Sequence, residues 1–215
     1  NNYIVFGQNN KNENNSAEII RIVKYSKNWS RISDCKIYGS NTTAPFNAGS
    51  LRMIELDGKL YVYTCHEMYA DSNNLNHQAN MLFTVDESTM KTTDSMYEVS
   101  NLQNGYVSHS FNQFIATDGA YIYRVDHSES NEMTMQGKYL SVNGITLSKY
   151  SKSASSTNVA VTVPVKFDIH SGNYTGATIG GFEVGSGNCI IAYTKDISSL
   201  SLIHISEPTR LRCIS

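Results

Sequence analysis

A Gly-containing pair set between two short apolar or aromatic runs occurs three times in this chain of 215 residues. The units are Leu51 to Leu56, Asp57-Gly58 and Leu60 to Thr64; Phe111 to Thr117, Asp118-Gly119 and Tyr121 to Val125; and Gly180 to Val184, Ser186-Gly187 and Cys189 to Thr194. A type I′ turn requires positive φ at both central residues. Asp-Gly and its relatives supply this at little cost, so each unit predicts a tight antiparallel hairpin. Tyr3-Ile4-Val5-Phe6 matches the second arm Tyr61-Val62-Tyr63-Thr64, 58 positions on, so the chain is expected to start inside a hairpin.

A third run follows each second arm, at Ile19 to Tyr25, Met81 to Val85 and Ile145 to Tyr150, and each ends in a polar turn. A fourth run comes next, at Cys35 to Tyr38, Ser95 to Val99 and Asn158 to Val163. The repeat is therefore four strands, here a to d, with a period of about 60 residues. Four antiparallel strands per copy cannot bury both faces alone, and stacked copies of this kind predict a β-propeller. The expected architecture is all-β: a partial propeller of about three to three and a half four-stranded blades in an open arc. The blades or blade remnants fall at about 1–40, 48–100, 108–165 and 177–199. A sandwich, the main alternative, repeats by strand. A β-helix needs shorter periods, and an immunoglobulin-like pair needs Cys and Trp landmarks that do not occur here.

Composition removes several functions. Seventeen basic residues against 19 acidic ones give a net charge of −2, which leaves no electrostatic footprint for nucleic acid. No run approaches the ~18 apolar residues of a spanning helix. Leu200 to Arg210 resembles the in-frame translation of a transposon-type sequencing adapter, so residues 200–215 are expected to be a non-native tail. Without Cys213, the remaining Cys35, Cys65 and Cys189 are odd in number and lack CxxC spacing. They are expected to be free, half-buried thiols rather than a disulfide framework or a zinc site.

Five runs carry a resemblance: Ala48 to Met53, Tyr63 to Tyr69, His77 to Asn80, Gly105 to Phe114 and Gly180 to Glu183. In these the chain resembles a family of secreted bacterial β-propeller-like repeat proteins, over nearly all of residues 1–198. The resemblance implies a large secreted or cell-surface protein, commonly multidomain. It carries no established activity, and the loop Ser128 to Lys138 departs from the pattern.

In a propeller the b-to-c and d-to-a connections share one face. His66, His77, His109, His127 and His170 all map to those connections. The expected ligand-binding set is His66, Glu67, Tyr69, His77, Gln78, Tyr106, His109, Asn112, Gln113 and His127. Aromatic faces flanked by amide and imidazole groups suit a sugar, whose C–H face stacks while its hydroxyls pair. The competing reading is that these groups cross-link loops, with Asn112 and Gln113 filling a polar inner rim. A metal held by His66, Glu67, His77, His109 and Asp126 finds no support in spacing, because no HExxH follows His66-Glu67. No metal and no cofactor is expected.

A binding module with a carbohydrate or other cell-surface ligand is thus the first reading. The others are a glycoside hydrolase or lyase with Glu67, Asp126 or Glu183 as acid or base, and a structural adhesin or spacer. Ser108-His109-Ser110 offers no nucleophile, since neighbours on a strand point to opposite faces. The missing blades of the same chain are expected partners, and the chain alone should dissolve poorly.

Overall fold

The computed structural model describes residues 1–47, 49–93, 106–129, 133–135, 138–140, 143–152, 160–167, 176–195 and 209–212. Every element among them is a strand, and every pairing is antiparallel. The first sheet is β1 (Asn2–Gly7), β2 (Glu18–Tyr25) and β3 (Arg31–Tyr38), in that order. The second contains β4 (Thr42–Pro45), β5 (Arg52–Leu56), β6 (Lys59–Met68), β7 (Gln78–Asp86) and β8 (Lys91–Thr92), with β6 and β7 at its centre.

The third sheet is built from β9 (Ser110–Thr117) and β10 (Tyr121–Ser128), followed after a two-stranded ribbon by β13 (Gly144–Ser151) and β14 (Ala160–Lys166). The ribbon is β11 (Met133–Met135) with β12 (Lys138–Leu140), of which β11 lies inside the loop that departs from the repeat and β12 starts at its end. The fourth sheet is β15 (Thr178–Gly185), β16 (Asn188–Thr194) and β17 (Thr209–Arg212). Among the described residues no helix is long and apolar enough to cross a membrane.

The meander a-b-c-d is visible in the third sheet as β9, β10, β13 and β14. Strands b to d of the first sheet are β1, β2 and β3. In the second sheet β5, β6 and β7 are a, b and c, while the expected d strand, Ser95 to Val99, lies outside the described residues. Two of the hairpin turns are as expected: Asp57 and Gly58 have φ of 51° and 73°, and Ser186 and Gly187 have 50° and 72°.

The middle turn differs. Thr117 pairs with Ile122, so four residues intervene, and only Gly119 has positive φ there. Asp118 Oδ1 accepts the amides of Ala120 and Tyr121 at 2.9 and 2.8 Å, an Asx turn that replaces the tighter one.

Sheets follow one another face to face in chain order, because each strand alternates its side chains between two neighbours. Ile20, Ile22, Cys35 and Ile37 of the first sheet pack on Leu60, Val62, Met81, Phe83 and Val85 of the second. From the same strands, Tyr61, Tyr63 and Leu82 point the other way and meet Ile122 and Tyr150 of the third. Tyr123, Val125 and Leu147 then meet Ile179, Cys189 and Ile191 of the fourth. The a strands are also neighbours, β5 beside β9 and β9 beside β15.

One sequence expectation is corrected here, on Cys189, and two elements lie outside the expected repeat. The expected arm Leu51 to Leu56 is β5, and a separate short strand, β4, pairs with the far end of the same β6 edge. Cys189 is disulfide-bonded, whereas Cys35 and Cys65 are free, buried thiols. Within the expected non-native tail, Thr209–Arg212 pairs with β16 in the place of a third strand. That pairing is main chain to main chain, which an open sheet edge accepts from any sequence.

Candidate functional site

The four described histidines gather at one end of the second and third sheets; His170 lies outside the described residues. His66 sits near the end of β6 opposite Ala79, and His77 closes the loop leading into β7. His109 precedes β9, and His127 stands opposite Phe111 near the end of β10. A bridge between Ala79 and Ser108 joins the two sheet ends, and the His109 amide donates to Gln78 O at 2.7 Å. These four divide into two chemically different pairs.

His66 and His127 are enclosed, at 0% and 1% exposure. His66 Nδ1 lies 2.6 Å from Thr42 Oγ1, and its Nε2 is buried without a hydrogen-bond partner. Burial pushes the His66 imidazole down to about 3 and that of His127 down to about 4, so both stay neutral. His127 packs edge-on to Phe167, with ring centroids 5.7 Å apart. Neither ring can reach a ligand in solution without the structure opening.

His77 and His109 are the accessible pair. Their rings meet edge to face with centroids 5.7 Å apart, and His77 Nε2 lies 3.4 Å from Asp71 Oδ2. Asp71 itself caps its loop by accepting the amides of Asn73 and Leu75, and these bonds, that of Leu75 foremost, hold its carboxyl below its usual range. His109 has φ of 47°, which breaks the strand pattern at the entrance to β9. That local reversal brings Ser108 Oγ to 3.1 Å from His109 Nδ1, a contact the alternation of an unbroken strand forbids. Ser108 is nevertheless buried at 3% exposure.

Around this pair the other expected residues are partly committed elsewhere. Glu67 is half-buried, faces Gln78 across the β6–β7 register, and accepts from Asn47 Nδ2 at 2.5 Å. The Tyr69 hydroxyl accepts from Asn10 Nδ2 at 3.0 Å. Tyr106 packs against two of the core clusters and keeps one part exposed. Asn112 and Gln113 follow the cross-linking reading: Asn112 Oδ1 accepts the Ile179 amide of the fourth sheet at 3.2 Å, and buried Gln113 donates to Ser110 Oγ at 2.8 Å.

The three acids weighed for catalysis are not brought together at the rim. Asp126 is 1% exposed between the second and third sheets, where Tyr63 and Ser110 hydroxyls each donate to it at 2.6 Å and Thr146 donates as well. Burial raises its carboxyl above the usual range against these lowering bonds. Glu183 is exposed near the β15–β16 turn, because β15 runs away from the rim toward that turn. Only Glu67 remains at the histidine end. Among the described residues no group of three or more His, Cys, Asp or Glu could hold a metal ion.

Sequence reasoning missed Arg124. This residue is 1% exposed in the middle of β10, and its three nitrogens have no hydrogen-bond acceptor among the described residues. The guanidinium lies 5.1 Å from the Tyr63 ring and 5.2 Å from the Tyr150 ring, with Asp126 on the same face of the strand. A cation inside the aromatic second arm Tyr121 to Val125 was the signal available. Comparison with family models, curated proteins and solved structures finds no match to this chain.

Proposed function

We propose that the chain is a ligand-binding module of the β-propeller type from a secreted or cell-surface bacterial protein, and that its histidine rim holds a neutral polyhydroxylated ligand such as a carbohydrate. The sheets described above are its successive blades. The observation that carries this reading is the partly exposed His77–His109 pair where the second and third sheets meet. Gln78, whose carbonyl accepts the His109 amide, adjoins the pair, with Glu67 opposite it in the β6–β7 register and the partly buried Tyr106 three residues before His109. Imidazole and amide groups donate and accept toward hydroxyls, and the ring edges offer a surface for C–H groups. His66, His127, Asn112 and Gln113 support the rim from beneath rather than touching the ligand.

The test is a glycan array probed with the whole chain, followed by titration of any bound glycan. His77→Ala and His109→Ala are expected to weaken binding roughly tenfold each, the loss of about one charge-free hydrogen bond with its packing. Their melting temperatures should stay within a few degrees of the parent's. Absence of binding to every glycan, or affinity unchanged in both variants, removes the reading.

A further inference from the structure

Arg124 carries a charge that it cannot shed, since a guanidinium keeps its proton inside a protein. It lies at the middle of β10, in the buried layer where the third sheet meets the second. The Tyr63 ring of the second sheet and the Tyr150 ring of the third approach its guanidinium carbon at 5.1 and 5.2 Å. Aromatic faces attract the charge, yet they offer its N–H donors no lone pair. All three nitrogens are without a hydrogen-bond acceptor, and none of the ion pairs among the described residues includes Arg124.

Asp126 stands on the same face of β10, but its carboxyl is engaged elsewhere. Oδ2 accepts from the Tyr63 and Ser110 hydroxyls, and Oδ1 accepts from Thr146. It therefore acts on the guanidinium through the interior and not by contact. Strand register places Ile115 of β9 on one side of Arg124 and Ser148 of β13 on the other. Directly opposed residues share a face, so the buried Ser148 side chain brings a hydroxyl into the same layer. A buried cation with no partner in contact costs several kcal/mol. Water fills its hydrogen bonds but leaves its charge; an anion answers both.

We infer that the edge of the Arg124 guanidinium, together with the Ser148 hydroxyl, forms an internal site for a small monovalent inorganic anion of the chloride type between the second and third sheets. The anion accepts N–H groups from the planar fork and the serine O–H from the neighbouring strand. Its charge offsets that of Arg124 in contact, and only a small ion suits a layer in which the arginine is 1% exposed. The layer is built from β6, β7, β10 and β13, so the assignment depends on neither end of the chain. It is also independent of what the rim binds.

The experiment follows the melting temperature of the whole chain as chloride replaces gluconate at constant ionic strength, over several decades of chloride concentration. Gluconate is too bulky for the layer, and the balance holds general salt effects fixed. A site that is lost on unfolding should leave the curve flat at low chloride, then raise it by roughly 3–6 °C per tenfold increase. Bromide, close to chloride in size and equal in charge, should act in the same way. Arg124→Met should abolish the dependence, whether that variant is more or less stable than the parent. Ser148→Ala, which removes one hydrogen bond, should move the onset to chloride concentrations higher by roughly threefold or more. A parent indifferent to chloride overturns the inference, as does a dependence that survives Arg124→Met. An onset unchanged in Ser148→Ala overturns it as well, and that variant decides alone where Arg124→Met does not fold.

Discussion

The second sheet presents two faces of different chemistry, although both are written along the same two strands. Toward the first sheet, Leu60, Val62, Met81, Phe83 and Val85 meet Ile20, Ile22, Cys35 and Ile37 in a contact built mainly from apolar groups. Toward the third, the intervening residues Tyr61, Tyr63, Asn80 and Leu82 meet Ile122, Arg124, Asp126 and Tyr150. Tyr63 serves both charges at once, its ring beneath the guanidinium and its hydroxyl on the carboxylate. An apolar contact tolerates small slides, because dispersion and burial are non-directional. A buried cation held between aromatic rings and a carboxyl held by three hydroxyl donors tolerate little displacement, since an uncompensated charge costs several kcal/mol. The difference teaches that one boundary supplies cohesion and the other also fixes register.

Acid acts most strongly on this arrangement. The unfolded chain protonates its histidines near pH 6.5, whereas folded His66 and His127 resist until about 3 and about 4. The sign follows: nothing is lost above pH 6.5, and stability falls with pH below it, down to about 4 for His127 and on to about 3 for His66. At 1.36 kcal/mol per unit the losses reach about 3 kcal/mol for His127 by pH 4 and about 5 kcal/mol for His66 only by about pH 3. Asp126, raised by burial, opposes part of this loss, because its folded form takes up a proton before the unfolded one does. Urea denaturation between pH 7 and 4 should show a steep fall, flattened in His66→Leu; a flat profile in the parent contradicts the enclosed neutral imidazoles.

Removing one charge tests the polar boundary. Asp126→Ala removes the carboxyl held by the Tyr63, Ser110 and Thr146 hydroxyls and the acidic group beside Arg124 on the same strand face, and is expected to cost about 3–5 kcal/mol at pH 7. The double variant Arg124→Met with Asp126→Asn should recover most of that loss. Additive effects in the cycle would show that the pair does not couple. At the apolar boundary Phe83→Ala should cost about 3–5 kcal/mol by cavity formation, with no rescue by any charge change across the sheet. A loss below about 1 kcal/mol would mean that the first and second sheets are not packed as described. Gly58→Ala, at φ of 73° in a turn outside both boundaries, should cost only about 1–2 kcal/mol. A larger effect would tie the turn to the boundary through the bond between Lys152 and Asp57.

How far the sequence carries is clearest at particular residues. Asp57-Gly58 and Ser186-Gly187 announce their turns because few other residues take positive φ twice in succession. Asp118-Gly119 carries the same letters, yet the Asp118 side chain captures two amides and widens the turn, a choice that local pattern does not reveal. The position of the histidines at one end follows from strand direction and was legible. Their burial was not, because a strand covered on both faces hides every residue, polar or not. β4 escaped notice as a four-residue strand ending in Pro45. Ser108 and His109 meet because a single residue departs from extended backbone, which alternation cannot foresee.

The two unbridged cysteines turn this inner contrast into something measurable from outside. Burial pushes the Cys35 thiol up to about 11 and the Cys65 thiol up to about 12, so thiolate is scarce at neutral pH in the closed molecule. Cys35 belongs to the apolar boundary, whereas Cys65 Sγ sits beside Gly49, the residue against which Gln113 of the third sheet also packs. Alkylating reagents can therefore enter each site only when its own boundary parts, and the two modification rates, followed by mass spectrometry, report separately how often each side of one sheet comes loose.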